Sequence, residues 1–295
     1  MSITVRDFAA GRKAFFVAPD TSLFPESNLT EYFLQGYECY FVENDKQNSL
    51  TDKVNIIAST FKDCVLIINI DSVIPDINWI EYISRLNATY GKTITICVTF
   101  LKKQEKNYRN AIELTFKNMI GIAGDCIQLE YQKRVNVGIM LEYLESINLR
   151  GRRMNIRGFC TKYYTYSFVF DEKTYTGVLQ DLSLSHFSLV STEESLQIKV
   201  GDVIPDFNFF LNGLIIRASA TLMMTRKFND FVLYVFAFCD KDGTPGLINR
   251  YKDQLVENLL KLNNNYLKMA LEKLMLQIKN NVTNPEVLES LVIGQ

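Results

Sequence analysis

Residues 163–182 read YYTYSFVFDEKTYTGVLQDL: two runs rich in aromatic and β-branched residues on either side of the polar Asp171-Glu172-Lys173. Such runs between turn residues are strands. The same text continues through Phe187–Thr192, Val203–Leu211, Leu214–Met224 and Asp230–Cys239. The breaks fall at turn material such as Leu211-Asn212-Gly213 and Lys227-Phe228-Asn229-Asp230. With Tyr163–Phe170 and Tyr175–Leu182, this makes six strands in succession, which predicts a small antiparallel barrel.

Upstream of that stretch, strands alternate with helices. The predicted strands are Ala14–Pro19, Glu38–Val42, Cys64–Ile70, Thr93–Phe100 and Asp125–Tyr131. The third and fourth are almost wholly apolar, as strands covered on both faces must be. Predicted helices lie at 27–36, 50–61, 77–90, 105–121 and 133–149, where sets such as Leu29, Tyr32, Phe33 and Ile80, Ile83, Leu86 recur at helical spacing. Asn78 or Asp76 is placed to cap the third. Five β-α units in a row imply a parallel sheet of flavodoxin-like layout with right-handed crossovers. Ligand chemistry in such sheets belongs at the carboxyl ends of the strands.

At that edge, Asp71 is followed by Ser-Val-Ile-Pro75, and Thr99 stands near the end of the fourth strand. This resembles the phosphoacceptor turn and switch hydroxyl of response-regulator receivers. The resemblance would make Asp71 a vestigial phosphoacceptor; the alternative is a loop aspartate capping a turn. The rest of the receiver pattern is missing. Where receivers carry an acidic pair to hold Mg²⁺, the chain reads Val17-Ala18-Pro19-Asp20, and no lysine follows the fifth strand at once. Aspartyl phosphorylation needs both to neutralise developing charge, so little phosphorylation is expected.

Composition narrows the function further. The chain of 295 residues is 47% hydrophobic and 22% charged, with a formal net charge of -1. No global basic field points to DNA, RNA or an anionic membrane. Six scattered cysteines without a CxxC pair indicate reduced thiols and a cytoplasmic setting. The opening MSITVRDFAAGRK lacks the apolar core of a signal peptide, and no apolar run approaches a membrane span. His186 is the only histidine, which excludes a His-rich metal site. No metal, cofactor or catalytic constellation is expected, so the reading is not that of an enzyme.

Two motifs frame the start of the predicted barrel. Arg150-Gly-Arg152-Arg153-Met-Asn-Ile-Arg157 contains Arg153-x-x-x-Arg157, and Asp181-Leu-Ser183-Leu-Ser185-His186 follows, with Asp181 24 positions after Arg157. Their order and separation, the later Gly201-Asp202-Val203-Ile204 and a helix after the last strand resemble the PilZ family over roughly residues 150–260. The family carries RxxxR before its barrel and [DN]xSxxG between its second and third strands. The resemblance implies cyclic di-GMP as ligand, with Arg153, Arg157, Asp181 and Ser183 in the site and Arg152 as a helper. The chemistry fits. Arginine forks grip phosphate oxygens or pair with guanine O6 and N7, and a carboxylate accepts from guanine N–H groups. His186 stands where the family has glycine. A glycine there suits a left-handed backbone or close approach of a ligand; the imidazole either blocks a guanine or stacks on it.

Leu247 to about Asn280 predicts one long helix bounded by Pro245-Gly246 and Pro285. Its apolar stripes run through Ile248, Leu255, Leu259, Leu262, Tyr266, Met269 and through Leu260, Leu267, Leu271, Leu274, Ile278. At about 33 residues it spans about 50 Å, more than a small barrel covers, so self-association through this helix is expected; packing within the chain is the alternative. The expected organisation is an α/β domain over 1–149, a PilZ-type barrel with its arginine linker over 150–246, and the helix with its tail over 247–295. The expected function is a cyclic di-GMP receptor or adaptor that changes interdomain or partner contacts. A degenerate barrel without ligand, acting as an oligomeric protein-interaction adaptor, is the alternative.

Overall fold

The computed structural model describes residues 3–45, 47–105, 107–151, 154–191, 196, 198–241, 243–247 and 249–294. The chain divides into two compact units. One is Thr4–Met154 with Met269–Leu291; the other is Asn155–Lys268 with residues at both chain ends.

The first unit is built on a five-stranded parallel sheet. Its strands are β1 (Ala14–Val17), β2 (Cys39–Val42), β3 (Val65–Asn69), β4 (Thr95–Leu101) and β5 (Cys126–Leu129). Their order is β2-β1-β3-β4-β5, all pairs parallel, the flavodoxin-like arrangement. Every residue of β1 and β3 is buried, because helices cover both faces. The helices that follow its strands are α1 (Asn28–Leu34), α2 (Leu50–Thr60), α3 (Trp79–Tyr90), α4 (Tyr108–Glu113) and α5 (Lys133–Ser146). Asn78 caps α3, its side-chain oxygen accepting from Ile80 N and Glu81 N.

The stretch 105–121 departs from a single α-helix. After α4 the chain widens into a π-helix over Leu114–Ile120 and stops at Gly121, whose φ is +77°. Thr115 turns its hydroxyl onto Ala111 O at 2.9 Å, competing with the i−4 ladder. Asn87 Nδ2 donates to the terminal Ile120 O at 3.0 Å.

The second unit is a closed six-stranded antiparallel barrel. A two-residue strand, β6 (Gly158–Phe159), precedes β7 (Tyr164–Phe170), β8 (Lys173–Leu182), β9 (His186–Ser191), β10 (Val203–Leu211), β11 (Leu214–Lys227) and β12 (Val232–Cys239). The ring runs β8-β9-β12-β11-β10-β7 and back to β8. Its interior is aromatic: Phe168 and Phe207 lie 4.5 Å apart by ring centroids, Phe187 and Phe209 4.8 Å, Phe187 and Phe236 5.2 Å. Two tight hairpins set the register. Asp171 and Glu172, at φ +47° and +61°, join β7 to β8; Asn212 and Gly213, at +49° and +95°, join β10 to β11. Positive φ at both central residues marks the turn whose twist matches that of paired strands.

The long helix α6 (Asn249–Lys279) closes the barrel. Tyr164 OH donates to Asn258 Oδ1 at 2.8 Å, and Asn258 Nδ2 donates to Leu211 O at 2.9 Å. Leu255, Leu259, Leu262, Tyr266, Leu267, Leu271 and Leu274 are all buried within the single chain. Self-association is therefore left without the continuous exposed seam it was expected to use. Of the two stripes, Met269 and Ile278 are exposed, and Ile248 lies outside the described residues.

Candidate functional site

The register of β6 builds the site. Gly158 pairs with Leu182 and Phe159 with Asp181, so the residue before this strand is delivered beside the turn that follows β8. That residue is Arg157. Its Nη1 donates to Asp181 Oδ2 at 3.2 Å, with side chains 34% and 15% exposed. The ends of the two motifs thus meet. Helix α6 fixes the strand from behind. A Cβ at Gly158 would lie 2.8 Å from a Leu259 methyl and 2.9 Å from a Leu262 methyl, so a larger residue there would have to displace these side chains. Asn263 Nδ2 also donates to Arg157 O at 3.4 Å.

Strand alternation decides which side chains face outward. Phe187 and Leu189 point into the barrel and are fully buried. His186 and Ser188 therefore point out, on the same outer face as Asp181, which pairs with Ser188. The hydroxyl of Ser188 is buried without a hydrogen-bond partner among the described residues.

Ser183 closes the turn. Its N–H donates to His186 O at 2.8 Å, its hydroxyl donates to the same oxygen at 3.0 Å and accepts from His186 N at 3.0 Å. The side chain is buried and committed to the hairpin. His186 begins β9 without a positive φ, so the turn needs no left-handed residue there. Histidine at this position therefore carries no left-handed strain. The imidazole is partly buried. Burial lowers its pKa, the Arg157 guanidinium lowers it further, and Asp181 opposes both.

Two residues that the motifs leave unassigned enter the site. Asn155 Nδ2 donates to Ser185 Oγ at 2.9 Å, and Ser185 Oγ lies 2.8 Å from His186 Nδ1. Sequence reading missed them because they occupy the unspecified positions of RxxxR and DxSxxG. Arg152 and Arg153 lie outside the described residues.

The edge of the parallel sheet is tied shut by local bonds. Asp71 Oδ2 accepts from Leu101 N at 2.6 Å and Oδ1 from Tyr108 OH at 3.3 Å, while Lys103 Nζ stands 3.9 Å away. Asn69, the last residue of β3, donates to Ala18 O at 3.1 Å and accepts from Asp71 N at 3.2 Å. Thr99 Oγ1 donates to Ile68 O at 3.4 Å, and Asp20 caps Ser22 N at 2.8 Å. Among the described residues, no three His, Cys, Asp or Glu side chains gather to hold a metal.

A closed six-stranded barrel, an arginine delivered to an Asp-x-Ser turn between β8 and β9, and a helix sealing the barrel give the second unit the fold expected of a PilZ-type barrel. No family model matches the chain, and no curated protein matches it. Solved structures do match. The inhibitor of motility MotI/DgrA of Bacillus subtilis is 11% identical, with a TM-score of 0.31, over 38% of this chain and 50% of that one. The PilZ domain of YcgR from Escherichia coli, with c-di-GMP, is 17% identical, with a TM-score of 0.31, over 45% of this chain and 100% of that one. PlzA of Borreliella burgdorferi, in complex with c-di-GMP, is 18% identical, with a TM-score of 0.24, over 44% of this chain and 48% of that one. The matched part thus spans about half the length of MotI/DgrA and PlzA.

Proposed function

We propose that the barrel is a receptor for cyclic di-GMP and that the protein acts by binding, not by catalysis. One observation carries this reading: Arg157 and Asp181, from motifs far apart in the chain, stand 3.2 Å apart on the outer barrel face. The pair offers the two kinds of group a guanine edge requires. Asp181 accepts from N–H donors, and the guanidinium donates to O6 and N7 or to a phosphate oxygen. Among the described residues, the other guanidinium donors of Arg157 make no hydrogen bond, so they are available to a ligand. Arg153, with Arg152 beside it, adds charge for the phosphates. Ser183 serves by holding the turn. Bound ligand then changes the contacts the barrel unit makes with the α/β unit or a partner protein. No described helix is long and apolar enough to cross a membrane, and we place the protein in the cytoplasm.

The second reading is a barrel that has lost its ligand and serves as a protein-interaction adaptor, with self-association one form it could take. His186 favours it, because an imidazole fills space that the motif leaves to glycine. Calorimetric titration separates the two. Wild type should release or absorb heat with cyclic di-GMP. Arg157→Ala and Arg153→Ala should each weaken binding by about 1.5–3 kcal/mol, the scale of a charge-assisted hydrogen bond. Absence of heat at high micromolar ligand would leave the adaptor reading.

A further inference from the structure

Three side chains outside the four motif residues form a chain of hydrogen bonds that ends at the site. Asn155 donates its amide to Ser185 Oγ at 2.9 Å. The Ser185 hydroxyl has one proton, and its oxygen is already accepting. Its partner at 2.8 Å is His186 Nδ1. Of the two tautomers, the one that gives the serine proton an acceptor among the described residues sends it to Nδ1 and puts the imidazole proton on Nε2. Strand alternation turns this ring to the outer face that carries Asp181. Nε2 makes no hydrogen bond among the described residues.

We propose that Asn155 and Ser185 are positioning residues that hold His186 as an Nε2–H donor, and that His186 contacts an acceptor on the bound guanine nucleotide, such as O6, N7 or a phosphate oxygen. This rests on the ligand reading above. It turns the replacement of glycine into a gain: the side chain that enters the site brings a fixed donor. Orientation matters more than presence. An imidazole free to rotate spends binding energy on being ordered, whereas one held by Ser185 is ordered beforehand.

The chain has one histidine, so nitrogen-15 spectra of the ring contain a single imidazole. Without ligand, Ser185→Ala should move the Nδ1 resonance toward that of an unbonded ring nitrogen, and Ser185→Thr, which keeps the hydroxyl, should restore it. Asn155→Ala should act in the same direction and less. Adding cyclic di-GMP to wild type should move Nε2 more than Nδ1. By calorimetry, Ser185→Ala and His186→Ala should each bind about five- to tenfold more weakly, the scale of one neutral hydrogen bond. Binding at wild-type strength by Ser185→Ala, or a ligand-bound spectrum with Nε2 unmoved, overturns the proposal. Absence of heat with wild type overturns the ligand reading, and with it the contact of His186 with a ligand. The ligand-free Nδ1 resonance then still decides the relay, and its constancy in Ser185→Ala overturns that as well.

Discussion

Burial, with Arg157 as the second cause, holds the His186 imidazole below its ordinary range. The unfolded chain has no such burden and takes up its proton near the ordinary value of about 6.5. Between the two pKa values the unfolded state therefore binds more protons, and stability rises with pH through that window and levels off above it. Urea midpoints should fall as pH drops from 7.5 to 5.5. In His186→Gln the fall should be smaller, and an equal fall in both proteins would assign the effect to carboxylates. Asp71 is a carboxylate with both oxygens engaged, by Leu101 N and Tyr108 OH. Acetyl phosphate with Mg²⁺ should leave its mass unchanged. A stoichiometric phosphate adduct, absent in Asp71→Asn, would make it a phosphoacceptor after all. Both residues were visible in the sequence, but their surroundings were not. A motif names Asp181 and Ser183 and is silent on Asn155 and Ser185, whose meaning arises only when β8 and β9 fold back together.

At the scale of elements, the two halves were readable for different reasons. Asn212-Gly213 between an aromatic run and an aliphatic one is a hairpin signal by itself, because the turn demands positive φ and glycine supplies it without cost. The apolar β3 and β4 were equally plain, since a strand buried on both faces has no polar side to confuse the reading. The two-residue strand β6 left no such trace. Its existence depends on pairing with Asp181 and Leu182 and on helix α6 behind it. The π-helix over Leu114–Ile120 was likewise hidden, because its residues carry the same apolar spacing as an α-helix. Gly158 tests whether β6 positions Arg157. Gly158→Val drives methyl groups into Leu259 and Leu262, with an expected loss of about 1–3 kcal/mol from overpacking. Urea unfolding reads that loss. Titration with cyclic di-GMP should show weaker binding in the folded variant, and unchanged affinity would detach the position of Arg157 from this strand.

The whole molecule turns on α6, a continuous helix whose residues up to Lys268 group with the barrel and whose residues from Met269 group with the α/β unit. The apolar stripes that suggested assembly of copies are largely spent within the chain, so the length of the helix has an internal use. The expected consequence of one helix shared by both groupings is coupled unfolding. Cyclic di-GMP at about 100 times its dissociation constant should add about 2.7 kcal/mol to whatever unfolds with the barrel. Trp79, the only tryptophan, is buried in the α/β unit, with Nε1 donating to Ser72 O at 2.7 Å. Its fluorescence therefore reports the unit that does not hold the proposed site. In wild type, ligand should raise the Trp79 unfolding midpoint. Proline at Met269 removes a ladder bond and clashes with the preceding turn, at a cost of about 3 kcal/mol. In Met269→Pro the heat of binding should persist while the ligand-dependent rise at Trp79 disappears. If Trp79 ignores the ligand in wild type, the two units unfold independently, and a signal from the barrel must travel through a partner protein instead of along α6.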